Sequence, residues 1–258
     1  MISNRLRLLA AGFLAGTALV AAVRPGAAQE TAQPVSYASY YECDPTALAR
    51  VDSIIRTFWG PLADRQVSAG NASAWGWLGH HSGANWNRVF YFTATDLGRL
   101  IDATEGILAD GSAANRDLVR ETIGACPDHE DYIWQRITGS QSPTEITSRA
   151  AMALSTYFTC DPSREARADA IVSTVIGPAM DRAVQSGRMT TWSWMRHDFG
   201  GKYRRLLVSD GPDAKSLLAG INSVVDELVA QQREAFEEFG GICSSHQDNL
   251  WTTLISKP

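Results

Sequence analysis

The sequence predicts an α+β fold built as two tandem βαββαβ repeats. Three observations carry that reading. The chain superposes on itself without a gap at an offset of 117 residues from about Ser36 to Gly139, so that WGWLGHHSG (75–83) falls on WSWMRHDFG (192–200). Roughly 30 of about 100 aligned pairs are identical, far above what unrelated segments give. The cysteines obey the same offset, and each copy alternates short aromatic or β-branched runs with helical periodicity.

Within a unit, SYASYYEC and its counterpart AMALSTYFTC have the composition of a buried strand. Asp44-Pro45 and Asp161-Pro162 then predict a helix N-cap followed by proline at the first helical position. Leu48, Val51, Ile54, Ile55 and Phe58 recur at helical spacing, and Gly60-Pro61 is expected to kink or break that helix. A short helical piece ends at Gly70, a natural left-handed C-terminal residue. ASAWGWLGH alternates as a strand, HSGAN makes the turn, and WNRVFYFTA returns. Past Asp96 the pattern is helical again, in two pieces in the first copy and as one longer amphipathic helix, AKSLLAGINSVVDELVAQQREAFEEF, in the second. HEDYIWQRI and HQDNLWTTLI close the units as final strands. The order is that of a ferredoxin-like unit, a split βαβ sandwich.

Residues 1–28 read as a cleaved export signal: Arg5 and Arg7, an apolar run, then small residues to Ala28. The remaining assignments are a first repeat at 29–140, a polar linker at 141–149 and a second repeat at 150–258. Removing the signal takes away three arginines and no acid, so the net charge moves from −5 to −8. An acidic chain without basic clusters argues against nucleic acid, and no other stretch predicts a membrane span. The localisation expected is periplasmic or secreted. Four cysteines in an exported chain predict two disulfides, and only Cys43–Cys126 with Cys160–Cys243 respects the repeat without tying the halves together. Strand order 4-1-3-2 places those cysteines at the meeting ends of strands 1 and 4.

WGPLADRQVSAG (59–70), the aromatic strand AWGWLGH, the G-x-x-W turn from Gly83 to Trp86 (Gly200 to Tyr203 in the second copy) and the FYFTATD strand exit together resemble the dimeric α+β barrel superfamily, with its antibiotic-biosynthesis-monooxygenase-type and stress-responsive A/B-barrel domains. The resemblance implies that the two antiparallel sheets pack face to face, here as an intramolecular barrel, with Trp75, Trp77, Trp192 and Trp194 as its aromatic wall. It implies a small-molecule ligand, and a monomer or homodimer. His80 and His197 are the expected catalytic residues and His129 and His246 ligand-binding ones. With strand 2 of one unit beside strand 4 of the other, as in relatives, His80 would approach His246 and His197 would approach His129, with Asp131 and Asp248 two residues along the same strand face. Arg88 and Arg205 are expected to meet an anionic ligand, with Asp64 or Asp181 as alternative partners. No cofactor is predicted. Some relatives of the fold hold haem, but the sequence offers no distinctive axial-ligand signal; a metal stays open, since Asp131 and Asp248 could ligate one or orient an imidazole. Hydrolase elbows, dinucleotide fingerprints and phosphate loops are absent from the sequence as well. The functional expectation is a ligand-binding barrel; its alternatives are a cofactor-independent monooxygenase or acid/base enzyme on an aromatic substrate, and an interaction module with a filled interior.

Overall fold

The computed structural model describes residues 33–140 and 149–258; the expected export signal and nearly all of the expected linker lie outside them. The first half runs β1 (Val35–Glu42), α1 (Leu48–Ile54), α2 (Gly60–Ser68), β2 (Ala74–Gly83), β3 (Arg88–Ala94), α3 (Leu97–Ala114), α4 (Arg116–Ala125) and β4 (Asp128–Gly139). The second repeats it as β5 (Met152–Thr159), α5 (Glu165–Ile171), α6 (Gly177–Gln185), β6 (Thr191–Gly200), β7 (Arg205–Gly211), α7 (Ala214–Gln231), α8 (Arg233–Ile242) and β8 (Ser245–Lys257).

Each half forms the antiparallel order 4-1-3-2, and the two half-sheets join edge to edge through β2–β8 and β4–β6 into one closed eight-stranded barrel. Closure removes every free sheet edge. Helices cover the outside, leaving the inner faces of both half-sheets to cover each other, as the fold class requires. The disulfides Cys43–Cys126 and Cys160–Cys243 form as expected and pin the end of strand 1 to the beginning of strand 4 in each half.

Three local expectations are corrected. Asp44 does not cap α1: its carboxylate accepts from the Thr46 amide and hydroxyl, closing a turn, and the helix begins at Leu48. Gly60-Pro61 does not break the helix, because Ile55–Trp59 widens into a π-turn just before it. That wider turn accommodates a proline that has no N–H to return. Val172–Ile176 does the same before Pro178. Finally, the long helix expected in the second copy is divided at Gln232, the counterpart of Asn115, whose side chain caps α4 by accepting from the Asp117 and Leu118 amides. Gly70 and Gly187 terminate their helices with φ of 78° and 75°.

Candidate functional site

Alternation along β2 puts Trp75 and Trp77 on one face and Gly76 and Leu78 on the other. The tryptophans turn outward, into the helix-covered core with Ile54, Ile55, Leu62 and Phe92. Their indole N–H groups donate to helix carboxylates, Trp75 to Asp64 at 2.7 Å and Trp77 to Asp52 at 2.7 Å. Trp192 and Trp194 repeat this with Asp181 and Asp169 at 2.7 and 2.8 Å. The expected aromatic wall is therefore corrected: these four rings fasten helices to the barrel. Trp192 alone borders the interior cavity, at its rim, where its backbone pairs with Ser140.

Arg88 and Arg205 lie on that same outer face. Arg88 makes a two-pronged ion pair with Asp52, both contacts 2.8 Å, and Arg205 does so with Asp169, both 2.7 Å, adding Glu165 at 3.1 Å. Both guanidiniums are buried. Neither is free for an anionic ligand, and their partners are Asp52 and Asp169 rather than Asp64 and Asp181. Burial alone would raise the Asp52 carboxyl, but hydrogen bonds from Arg88 and Trp77 outweigh it and hold the group below its ordinary range.

The interior is walled by other residues. Ala38, Tyr40, Leu78, Trp86, Val89, Tyr132, Trp134, Tyr157, Met195, Tyr203, Leu206 and Trp251 form a separate inner cluster. At the disulfide-bearing end the lumen is closed by stacked rings: Tyr40 on Trp86 with centroids 4.5 Å apart, Tyr40 edge-on to Tyr157 at 5.3 Å, and Trp86 edge-on to Tyr203 at 6.0 Å. Trp86 and Tyr203 are delivered by the G-x-x-W/Y turns. Their glycines, Gly83 and Gly200, sit at φ of 125° and 124°, where a Cβ would come within 2.3 and 2.2 Å of the Asp248 and Asp131 carbonyl oxygens. Gly76 leaves room for the Tyr91 ring, which would lie 2.4 Å from a Cβ there.

Below this plug a cavity of about 570 Å³ opens toward the opposite end. Its lining passes from the fully buried Tyr157 and Trp251 through Leu78, Val89, Met195 and Leu206 to the exposed Ser73, Thr190 and Lys257. The indole N–H groups of Trp134 and Trp251 are buried without a hydrogen-bond partner among the described residues, Trp134 beside the Tyr40 phenol and Trp251 beside that of Tyr157. Burial raises both phenols, Tyr157 to about 12 and Tyr40 well above its ordinary value, so both are neutral near pH 7. At the rim, Arg149 donates through Nε to Asp210 at 3.0 Å, and Arg136 donates to the Ser140 carbonyl at 2.8 Å. Burial opposes the charge of Arg149, but Asp210 and Tyr91 more than offset this and hold its pKa above the ordinary value, whereas burial lowers that of Arg136.

None of the histidines lines this cavity. His80 and His197 occupy the far, disulfide-bearing end. The strand register sets them opposite Trp251 and Trp134, not opposite His246 and His129. His197 Nδ1 lies 3.3 Å from Arg204 and its Nε2 lies 3.2 Å from the Gly200 carbonyl, which gives it a turn-bracing environment. His129 and His246 sit on the outer face, 3.5 and 3.4 Å from Asp131 and Asp248, and Asp131 also accepts from Tyr37 and Ser39. The expected meeting of the two histidine sets is thus corrected. They share an end of the barrel but occupy different faces of its wall. No cluster of three or more histidine, cysteine or acidic side chains suited to a metal ion occurs among the described residues.

The lining does not fit haem well. It offers neither imidazole nor thiolate to an iron, and the raised phenols of Tyr40 and Tyr157 disfavour phenolate ligation.

The sequence signal that could have identified the lumen was the pairing of Trp134 with Trp251 and Tyr40 with Tyr157 across the repeat. The rim residues Arg136, Arg149 and Asp210 have no such signal, since none has a like counterpart in the other half.

No family model matches the chain, and no curated protein sequence is significantly similar to it. Among solved structures it is similar to an anthrone oxidase-like protein, with a TM-score of 0.57 at 11% identity, covering 88% of this chain and 94% of that one. A candidate monooxygenase from Lactobacillus acidophilus NCFM gives a TM-score of 0.55 at 9% identity, covering 87% and 96%. A variant chlorite dismutase from Candidatus Nitrospira defluvii gives 0.53 at 9%, covering 85% and 91%. The chain shares their α+β barrel fold.

Proposed function

We propose that this is an exported protein whose barrel lumen binds a small, partly apolar molecule. The observation that carries the reading is the cavity of about 570 Å³, closed by aromatic rings at one end and rimmed by arginine, serine and threonine side chains at the other. Its size falls within the roughly 300–1,000 Å³ typical of small-molecule sites, and its largely apolar wall with a few polar groups is their usual chemistry. The space also weighs against an interaction module with a filled interior. Two disulfides support an oxidising compartment, in keeping with a signal at 1–28 and a mature chain of two duplicated repeats, 29–140 and 150–258. Among the described residues no helix is long and apolar enough to cross a membrane.

A second reading, oxidation or acid/base chemistry on an aromatic substrate without a cofactor, is favoured by the similar anthrone oxidase-like and candidate monooxygenase structures. It would place the substrate in the same lumen, against the neutral phenols of Tyr40 and Tyr157.

Native mass spectrometry of the protein recovered from its own source, beside an Ala38→Phe variant that fills the lumen, tests the binding reading. A small molecule should travel with the natural chain and be lost from the variant. A ligand held equally by both, or none bound from a broad aromatic panel, would sink it. Turnover of a bound aromatic compound would favour the second reading.

A further inference from the structure

The two halves match at the floor of the lumen and part company at its mouth. Tyr40 and Trp134 have Tyr157 and Trp251 as counterparts, but Asp210 stands where the first half has Thr93, and Thr191 where it has Ala74. One Asp210 oxygen accepts from Arg149 Nε at 3.0 Å and the other from Thr191 Oγ1 at 2.9 Å. The Arg149 guanidinium lies over the Tyr91 ring, 4.9 Å from its centroid, and the Arg149 backbone N–H donates to Ser256 Oγ at 2.9 Å. The arginine head is thus gripped by its Nε edge and by one face. Its terminal nitrogens, Nη1 and Nη2, have no hydrogen-bond acceptor among the described residues, and the side chain lines the cavity.

Arg136 faces the same rim from β4. Its Nη2 donates to the Ser140 carbonyl, its Nε is buried without a partner, and no carboxylate lies within ion-pair reach among the described residues. Among the described side chains Arg149 and Asp210 cancel one another's charge, so Arg136, together with Lys257 in the cavity lining, leaves the rim with a surplus of positive charge.

We propose that this rim reads a carboxylate, and that the ligand is an amphipathic monoanion with its apolar or aromatic body in the lumen and its carboxylate on the free Nη edge of Arg149, beside Arg136. The proposal rests on the reading that the lumen holds a small molecule. A guanidinium whose outer edge is free and whose inner edge is fixed matches the two oxygens of a carboxylate, and fixing it beforehand reduces the ordering cost of binding. The surplus of positive side chains at the rim suits an anionic head group. The rim lies at the open end, opposite the aromatic plug, so the ligand sits with its acid outward, and because the arginine–aspartate pair exists in one half only the acid occupies one side of the mouth.

The test compares 2-naphthoate with 2-naphthamide, which share a body and differ in charge, by tryptophan-fluorescence titration of the full chain at low salt. The naphthoate should bind about tenfold or more tightly than the amide, as expected for a charge-assisted pair at a partly desolvated site. Arg136→Gln and Arg149→Gln should each shrink that ratio, and the double variant should bring it close to unity with amide affinity unchanged. Arg149→Lys should retain only part of the preference. Equal binding of the two probes to the natural chain, or a preference that survives in the double variant, overturns the carboxylate rim while leaving the lumen reading intact. Binding of neither probe overturns the carboxylate rim, and the lumen reading falls with it only if the broad aromatic panel yields no binder either. Should Arg149→Gln lose the amide too, its lumen has collapsed, and Arg136→Gln alone then decides: an unchanged ratio in it overturns the proposal.

Discussion

The indole of Trp75 donates to the Asp64 carboxylate at 2.7 Å, joining β2 to α2, and the contact recurs between Trp192 and Asp181 at the same length. A tryptophan that looks from sequence like a ligand platform is here a fastening between layers. Trp75→Phe keeps most of the packing and removes the donor, so it should lower stability by about 1–2 kcal/mol and leave probe binding unchanged. A shift of the urea midpoint without a change in naphthamide affinity is the expected result.

The Arg88–Asp52 pair joins β3 to α1, with both side chains largely shielded from water. Asp52→Asn leaves a buried guanidinium short of its counter-charge and should destabilise by about 3 kcal/mol. Because the Asp52 carboxyl is held below its ordinary value of 3.8, its contribution is fully present above that value and is lost as pH falls toward the lower folded-state value. Urea unfolding between pH 6 and pH 3 should therefore show a steeper acid-side loss in the natural chain than in Asp52→Asn.

Cys43 and Cys126 stand 83 residues apart, as do Cys160 and Cys243. In the chain-entropy view, opening a loop of that length costs about 4 kcal/mol. Replacing either pair by serine should produce a large fall in melting temperature, and mild reduction of the natural chain should approach the behaviour of the double replacement.

His80→Ala with His197→Ala should leave binding of either naphthyl probe within about twofold, since neither ring lines the cavity. A large loss of affinity would mean that the ligand sits at the disulfide-bearing end instead.

Much of the architecture was legible because the repeat made each reading count twice. The cysteine pairing follows from it, whereas the 4-1-3-2 order came from the ferredoxin-like unit and the adjacency of strand 2 in one half to strand 4 in the other from the family resemblance. The direction of the strand faces did not. Both sides of β2 are buried, so Trp-Gly-Trp-Leu carries no polar face to tell lumen from helix layer. What decides the matter is the position of the acceptors Asp64 and Asp52 on the preceding helices, 11 and 25 residues from the rings they hold. Arg88 was misread for the same reason, its partner being 36 residues away. The rim escaped notice because it departs from the repeat: Arg149 is the last residue of the stretch taken as linker, and Asp210 replaces a threonine.

The seams of the barrel have a consequence for how the molecule is made. Trp75 pairs with Lys257, so the ring of hydrogen bonds is completed only when the second strand of the first half meets the last described strand of the chain. Until then the earlier half waits with Tyr40, Trp86 and Trp134 wet and both flanks unpaired, a form prone to capture by another copy at the same stage. Two unfinished molecules exchanging halves would satisfy the same contacts, so dilution during refolding should favour the single-chain ring over an interlocked pair.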